Sequence, residues 1–538
     1  MPGVEKYKSN LFTGGRLKDR YWLGIFAVFL ALLAVAVAHH EPWMDEAQAW
    51  LLAKDANLEE LFVQYLRYEG SPGLWHLILM VPAKLGFPYV TLNIIAAVVA
   101  ASGVYAFLRY SPFPPAIKIL FPFSYFVFFQ YGVVARSYCL VPLLLFVTAI
   151  NYKEKLTRPF VFVIALCLLE NVSVHTFLVA GGIFAVHVWD VAREWGSLDR
   201  RTRVRQVAAA ALFGFVSIFV VLVLVPTPAD HVLGSGYNSS VWNFIQVVWW
   251  AIPGSLILDE PGHYIVIQQA VSIVIFATTL CWLRSRKLTL LYLVPLGLLL
   301  ALFAIKYRNF WHDGVTFCLW IFVLWIGYLN EDERSRQNTF EKAFTIVVTL
   351  VLAVQVCWTA TAVYNDYFYN YSASRQVADW IKHSGSPGER IFATGWKTTA
   401  IQPYFDSNIF YNFNAGSGKR FWIWSTANQT PLGLGTNVLR RIENDQPDIV
   451  VLASDHLDAS MVTNPPGYVL EGLFPGYQFW KTGIYELNTY WIFRKMDERD
   501  LESVAELRYE DCIFCSRVRK FEIGFRRSRP SADFLKRK

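Results

Sequence analysis

Apolar runs of about 17–25 residues recur through the first two thirds of this chain, separated by short loops carrying Lys and Arg. In hydrocarbon such runs can satisfy their backbone polar groups only as helices or closed barrels, and runs of this length read as helices. Little else is open to a chain with this pattern: it is a polytopic α-helical membrane protein. Composition agrees, with 54% hydrophobic and 17% charged residues, where a soluble protein carries roughly a quarter charged.

About eleven spans are expected. They lie near 21–38, 90–108, 117–133 and 140–150, then in a pair turning at Asn171 and His175 and returning to Arg193. The rest lie near 207–225 and 265–282, up to Ile305, after Asp313, and near 344–363. The piece at 73–85 is short for a span and reads as interfacial or re-entrant, with Ser71-Pro72 as its cap and first turn. Loops holding Lys153, Lys155 and Arg158, then Arg200, Arg201, Arg203 and Arg205, then Arg284, Arg286 and Lys287 fall on one side. The positive-inside rule makes that side cytoplasmic. It also accounts for the net charge of +7 without a nucleic-acid partner. The basic N-terminus followed by an apolar stretch resembles a signal peptide, but reads as an uncleaved first span. The N-terminus is then cytoplasmic, and the loop after the first span is extracytoplasmic (periplasm or equivalent). An outer loop carrying Tyr237, Trp242, Trp249 and Trp250 suits the membrane interface.

Three regions follow: a membrane body at 1–363, an extracytoplasmic α/β domain at 364–496 and a charged tail at 497–538. In the second, helix patterns (374–383, 437–443) alternate with short strands (390–393, 449–453), and a hairpin-like pair lies near 483–494. Five cysteines sit in or beside apolar runs as small core residues. Cys512 and Cys515 form a lone CxxC without a second pair, weak grounds for zinc; a local disulfide and a solvated tail both remain open.

The densest charge in the greasy part of the chain is the outer loop at 39–72, with the adjacent acids Asp45 and Glu46. Two readings stand for Asp45. It could cap a helix, with Gln48 three positions on; or it could serve chemistry, since paired carboxylates beside a span are costly to keep unused. Asn57-Leu58-Glu59-Glu60 has capping-box spacing for a second short helix.

An Asp-Glu pair just after the first span, followed by amphipathic helices and a Pro-containing aromatic motif, here Glu69-Gly70-Ser71-Pro72-Gly73-Leu74-Trp75-His76, resembles the GT-C superfamily. The likeness is to its protein O-mannosyltransferases and the aminoarabinose transferases of lipid A. It covers the first third by motif and the remainder by architecture. Those families often place a second acid at the next outer turn, where this chain has Ala135-Arg136-Ser137-Tyr138. Arg136 is therefore either a cation for a donor phosphate or an interfacial anchor.

The resemblance implies a GT-C-like fold and a glycosyltransferase using a polyprenyl-phosphate-linked hexosyl or pentosyl donor. Asp45 would be the base, with Glu46 orienting it or substituting for it. The lipid phosphate would sit at a late outer turn, where Lys306, Arg308 and His312 form a second cationic group. Arg308 is the first choice among them, because a guanidinium matches phosphate oxygens bidentately. Glu69, His76, Glu170, Asn171 and His175 are candidate pocket walls, or members of a structural polar network. The chain has no P-loop, Rossmann glycine pattern, HExxH or Ser-His-Asp arrangement, and nothing in it demands a metal or cofactor. The acceptor is left open as lipid, glycan or protein. A transporter or lipid flippase is the alternative, though neither internal repeats nor midplane charges favour it. A third reading is an assembly protein whose outer domain binds a partner.

Overall fold

The computed structural model describes residues 19–225, 240–259, 264–329, 339–386, 388–425, 428, 434–455 and 464–496. Cys512, Cys515, Tyr237 and the tail lie outside these residues.

The chain enters through α1 (Asp19–His39) and turns at once into α2 (Met44–Asp55). Asp45 is not the cap that starts α2. Trp43 occupies the cap position, and the Glu46 carboxylate reaches back to accept its N–H at 3.0 Å. Asn57 and Glu60 form the expected reciprocal pair (3.0 and 2.8 Å), opening a π-helical turn, Glu60–Tyr65. Helix α3 (Leu74–Lys84) starts at Gly73, two residues after the expected Ser71 cap. Gly73 takes φ 122°, which other residues rarely adopt, and the Ser71 hydroxyl bonds instead to the Val172 carbonyl at 3.0 Å.

The body continues through α4 (Thr91–Tyr110), α5 (Pro115–Leu120), α6 (Leu140–Ile150), α7 (Pro159–Glu170), α8 (Val174–Glu194) and α9 (Arg200–Leu224). It closes with α10 (Val241–Leu256), α11 (Ile265–Ser285), α12 (Thr289–Ile305), α13 (Asp313–Leu329) and α14 (Thr339–Phe368). Among the described residues eight segments are long and apolar enough to cross a membrane. Eight of the about eleven expected spans have a helix of that length; the other three fall on the shorter apolar helices α6, α7 and α12. Helix α13 is the hub: Val315–Tyr328 is buried on every face, and the aromatic stack Phe107–Phe121 (3.9 Å) packs around Trp325 and Phe317. One expectation fails here. Residues 241–256 are not an outer loop but helix α10, whose end Ala251–Leu256 is buried against the body. Trp242 and Trp249 do stay exposed on this helix, at 65% and 41%; what the pattern misses is that the segment is helical and that its end is buried.

After α14 come α15 (Ser374–Ser384), β1 (Ile391–Thr394), α16 (Thr436–Asp445), β2 (Ile449–Ser454), β3 (Tyr468–Phe474), β4 (Tyr477–Trp480), β5 (Gly483–Leu487) and β6 (Thr489–Lys495). A four-stranded sheet runs β1-β2-β6-β3, with β1 and β2 parallel and the other pairings antiparallel. The hairpin expected near 483–494 does not form. Strand β5 pairs with β4, while β6 runs between β2 and β3.

This α/β unit is pinned to the first loop. The Glu41 carboxylate accepts from Arg375 N–H (2.7 Å) and the Ser374 hydroxyl (2.9 Å), capping α15. Arg420 pairs with Asp55, and Lys419 with Glu60 at 2.9 Å. Gln48 exchanges two hydrogen bonds with the backbone of Trp422 (2.7 and 2.8 Å). The Asp45 loop and the C-terminal unit therefore share one face of the membrane body.

Candidate functional site

The first turn of α2 presents Asp45 and Glu46 in different directions, because consecutive helical residues are about 100° apart. Glu46 is fully buried and fully used. One oxygen accepts Ala135 N–H at 2.6 Å; the other accepts Trp43 N–H and lies 3.2 Å from His40 Nε2. His40 Nδ1 lies 2.9 Å from Asp366 at the end of α14. Burial opposes charge on this imidazole, but the two carboxylates outweigh it and lift its pKa to about 10. His40 is therefore a cation at neutral pH. The array clamps α1, α2, α14 and the 135 turn together. The expected substitute role for Glu46 is at odds with these saturated oxygens; its geometry is that of an orienting group.

Asp45 is partly exposed and meets the residue after that clamped Ala135: Arg136 NH2 lies 2.7 Å from Asp45 Oδ2. Burial raises the Asp45 carboxyl above its usual range, Arg136 works against the rise and Glu46 adds to it. The guanidinium lies over the rings of Trp311 (4.6 Å), Tyr138 (5.3 Å) and Trp43 (5.8 Å), and its other terminal nitrogen, NH1, is buried with no hydrogen-bond partner. A cation held by π faces keeps most of its donors available. Arg136 is thus no simple headgroup anchor.

Glu69 faces the same space. It accepts from Gln48 at 2.7 Å, and burial lifts its carboxyl to about 8, with the Asp45 charge adding to the rise and the Gln48 bond opposing it. Behind Arg136 stands a ring stack. His175 and His312 lie 3.7 Å apart, with Tyr138 Oη 3.5 Å from His175 Nδ1, and Tyr307 5.5 and 5.3 Å from the two imidazoles. His175 Nε2 is buried and unpartnered. His312 Nδ1 accepts Asn309 N–H at 3.0 Å, so that nitrogen carries no proton and His312 is a neutral donor through Nε2, not the cation the sequence led us to expect.

The other candidates separate. Arg308 is engaged bidentately by Asp313 (2.8 and 2.6 Å) and also donates to the Trp250 carbonyl at 3.3 Å. Lys306 is partly exposed at the end of α12. Glu170 takes a hydrogen bond from Ser217 of α9 at 2.8 Å, and the Asn171 side chain bonds back to Cys167 at 2.8 Å. Their shared contribution is the turn they stand on: Val174 N–H donates to the Gly70 carbonyl (2.9 Å) and Leu74 N–H to that of Asn171 (3.3 Å), fixing the Glu69 loop. His76 is buried on α3, with Nδ1 unpartnered.

Sequence reasoning missed His40, Gln48, Trp43, Tyr138, Tyr307, Trp311 and Trp422. The signals available were adjacency alone: His40 and Trp43 to the acidic pair, Gln48 to the α2 start, Tyr138 to Arg136, and Tyr307 and Trp311 to the Lys306–His312 group, with nothing local for Trp422.

No family model and no curated protein matches this chain. Among solved structures, the lipid A aminoarabinose transferase ArnT from Cupriavidus metallidurans in its apo state aligns over 88% of this chain and 98% of its own, at 10% identity and TM-score 0.50. The same protein bound to undecaprenyl phosphate aligns over 89% and 99%, at 10% identity and TM-score 0.49. The arabinofuranosyltransferase AftD from Mycobacteria aligns over 91% of this chain and 42% of its own, at 14% identity and TM-score 0.39. At such identity the likeness to the apo structure speaks to the fold alone, and that fold is the GT-C-like architecture of a multi-helix membrane body with a small sheet-containing C-terminal unit.

Proposed function

We propose that this protein is a membrane glycosyltransferase that moves a sugar from a polyprenyl-phosphate-linked donor to an acceptor hydroxyl at the extracytoplasmic face. One observation carries the reading: a partly exposed carboxylate, Asp45, held 2.7 Å from a guanidinium with spare donors, Arg136, beside the boundary of the membrane body. Base and phosphate anchor are the two parts such a reaction needs.

The pair also supplies a way to switch the base on. With no donor, Arg136 and Asp45 neutralise each other. A phosphate that takes over the guanidinium removes the cation that lowers the Asp45 pKa, and the carboxylate becomes a stronger base when the donor is seated. The acceptor O–H then gives its proton to Asp45 while its oxygen bonds to the anomeric carbon. The bond from that carbon to the phosphate oxygen breaks, and polyprenyl phosphate leaves with the electron pair. A single displacement inverts the anomeric centre. Arg136 stabilises the charge on the departing phosphate; His312 Nε2–H and the Tyr307 hydroxyl offer neutral donors behind it, and Lys306 adds a cation near the rim. Arg308, given to Asp313, moves from first choice to a structural role. Glu46 holds the Arg136 turn in register with Asp45.

The test is transfer from a panel of radiolabelled polyprenyl-phosphate sugars into membranes, wild type against Asp45→Asn at matched expression. Loss of transfer in the variant supports the assignment. Transfer at the wild-type rate would remove Asp45 from the chemistry.

A further inference from the structure

Beyond Arg136 the aromatic side chains continue from ring to ring. Trp311, which lies under the guanidinium, is 6.2 Å from Trp43; Trp43 is 6.3 Å from Trp396, Trp396 is 5.8 Å from Trp424, and Trp424 is 6.1 Å from Trp422. These five indoles come from three distant parts of the chain: the first loop, the turn before α13 and the C-terminal unit. Trp43 and Trp422, at 3% and 1% exposed, are about as buried as the core tryptophans Trp282, Trp320 and Trp325 and back the row. Trp311, Trp396 and Trp424 keep part of their surface open.

The row is also polar in an unfinished way. The indole N–H groups of Trp43, Trp311 and Trp422 are buried and have no hydrogen-bond partner, like Arg136 NH1 beside them. Buried donors are normally satisfied, and each exception calls for a cause. A hydrocarbon chain would cover the ring faces but leave these donors unmet. A sugar ring answers both needs, since its axial C–H face packs on an aromatic face while its equatorial hydroxyls accept from N–H groups at the edge. The row is held in fixed register to Asp45 through Gln48 and the Trp422 backbone, and through Arg420 and Asp55. Such a rigid surface loses little on binding.

We infer that this tryptophan row is the acceptor subsite, and that the acceptor is a saccharide whose rings lie along the partly open Trp311, Trp396 and Trp424 with its terminal hydroxyl delivered to Asp45. The inference rests on the glycosyltransferase reading for that last step, but the binding surface can be tested without any transfer.

The experiment uses full-length protein in nanodiscs. It is screened against an array of defined oligosaccharides, with sugar-free single-chain lipids and unglycosylated peptides as competitors. Hits are titrated by quenching of tryptophan fluorescence and by an independent direct-binding measurement. Wild type should bind at least one oligosaccharide class. Trp424→Ala and Trp396→Ala should each weaken that binding about tenfold or more, and Trp424→Phe should recover most of it. Binding of radiolabelled polyprenyl phosphate should stay within twofold in all three variants, which also shows that they are folded. Asp45→Asn should still bind the saccharide. Failure of wild type to bind any oligosaccharide, binding only of the lipids or peptides, or saccharide binding indifferent to both alanine variants would each overturn the assignment. Should no donor support transfer while the Trp424-dependent saccharide binding persists, the glycosyltransferase reading falls and the saccharide surface stands.

Discussion

Of the Asp–Arg pairs near one face of this molecule, Arg308–Asp313 and Arg136–Asp45 are built for different purposes. Arg308 and Asp313 meet through two parallel hydrogen bonds, the carboxylate is completely buried, and the remaining guanidinium reach is taken by the Trp250 carbonyl. The backbone of α10 comes so close at Gly254 that a methyl group there would collide with both side chains. Arg136 and Asp45 meet through one contact, at 15% and 25% side-chain exposure, with a guanidinium nitrogen left over and aromatic faces as the other neighbours. A saturated pair is a bolt. A half-made pair beside open aromatic surface has capacity for something else.

Paired substitutions put that contrast to its hardest test. Asp45→Asn should cut transfer by about 10²–10⁴-fold, the usual worth of a general base, while the protein keeps its thermal midpoint. Asp313→Asn should do the reverse. Leaving Arg308 unpaired in a buried setting costs about 3–5 kcal/mol, so yield and thermal stability fall, and whatever folds retains much of its specific activity. Side-by-side measurement of activity per folded molecule and of melting separates the two. A stable but inactive Asp313→Asn protein would erase the distinction.

Arg136→Lys sharpens the comparison next. Lysine keeps the charge but loses the planar fork and the stacking on Trp311. Transfer should drop about tenfold to a hundredfold, mostly as weaker donor affinity, with the loss growing as salt rises. Arg308→Lys should leave donor affinity within about twofold, because in this arrangement Arg308 answers to Asp313. Equal losses of donor affinity would return the phosphate to the Arg308 turn.

A smaller effect reads the charge beside Asp45. The Glu69 carboxyl, lifted to about 8 by burial, is largely protonated at pH 7. As pH climbs through about 8 it adds a second negative charge where a phosphate must approach. Wild-type transfer should therefore decline on the alkaline side, and Glu69→Gln, neutral at every pH, should hold its rate. By pH 9 the variant should lead by up to about tenfold, if only the protonated form is active. The acid limb, set by the raised Asp45, should persist in both. Parallel alkaline limbs would disconnect Glu69 from the reacting centre.

What the chain revealed in advance follows from how local each interaction is. Spans declare themselves because lipid imposes one rule on some twenty neighbouring residues at a time. Helices α15 and α16 and strands β1 and β2 were legible for a similar reason, each having its period within a few residues. The β4–β5 pairing was not, because the strand after the visible turn had a better partner in β2 and β3, supplied by the sheet. Asp45 could be singled out from its neighbours and from resemblance. The choice between Arg136 and Arg308 could not, since it depends on which carboxylate each meets in space, and Asp45 is 91 positions from Arg136. The tryptophan row was invisible for the same reason: Gln48 and Trp422, 374 positions apart, fix its far end.

The clamp behind the site offers the gentlest probe, because it touches position and not chemistry. His40 lies between Glu46 and Asp366 with the Tyr371 ring packed 4.8 Å away. Its pKa rises from 6.5 to about 10 on folding. A group of this kind contributes its full stabilisation below about 6.5, where both folded and unfolded chains hold the proton, and loses it as pH climbs to about 10. The thermal midpoint of wild type should fall across that interval, by about 2–4 °C for each kcal/mol surrendered. In His40→Gln the midpoint should start lower at pH 6.5, and this part of its decline should be missing. Because Ala135 hangs from the same Glu46 carboxylate, loosening the clamp should also let Arg136 drift from Asp45. Donor affinity in wild type should then weaken over the same interval as the midpoint, and Glu69→Gln, which removes the competing titration, should expose that dependence. A wild-type midpoint as flat as that of His40→Gln would mean that the imidazole is neutral in the folded protein. Glu46 would then hold the turn through its backbone hydrogen bonds alone.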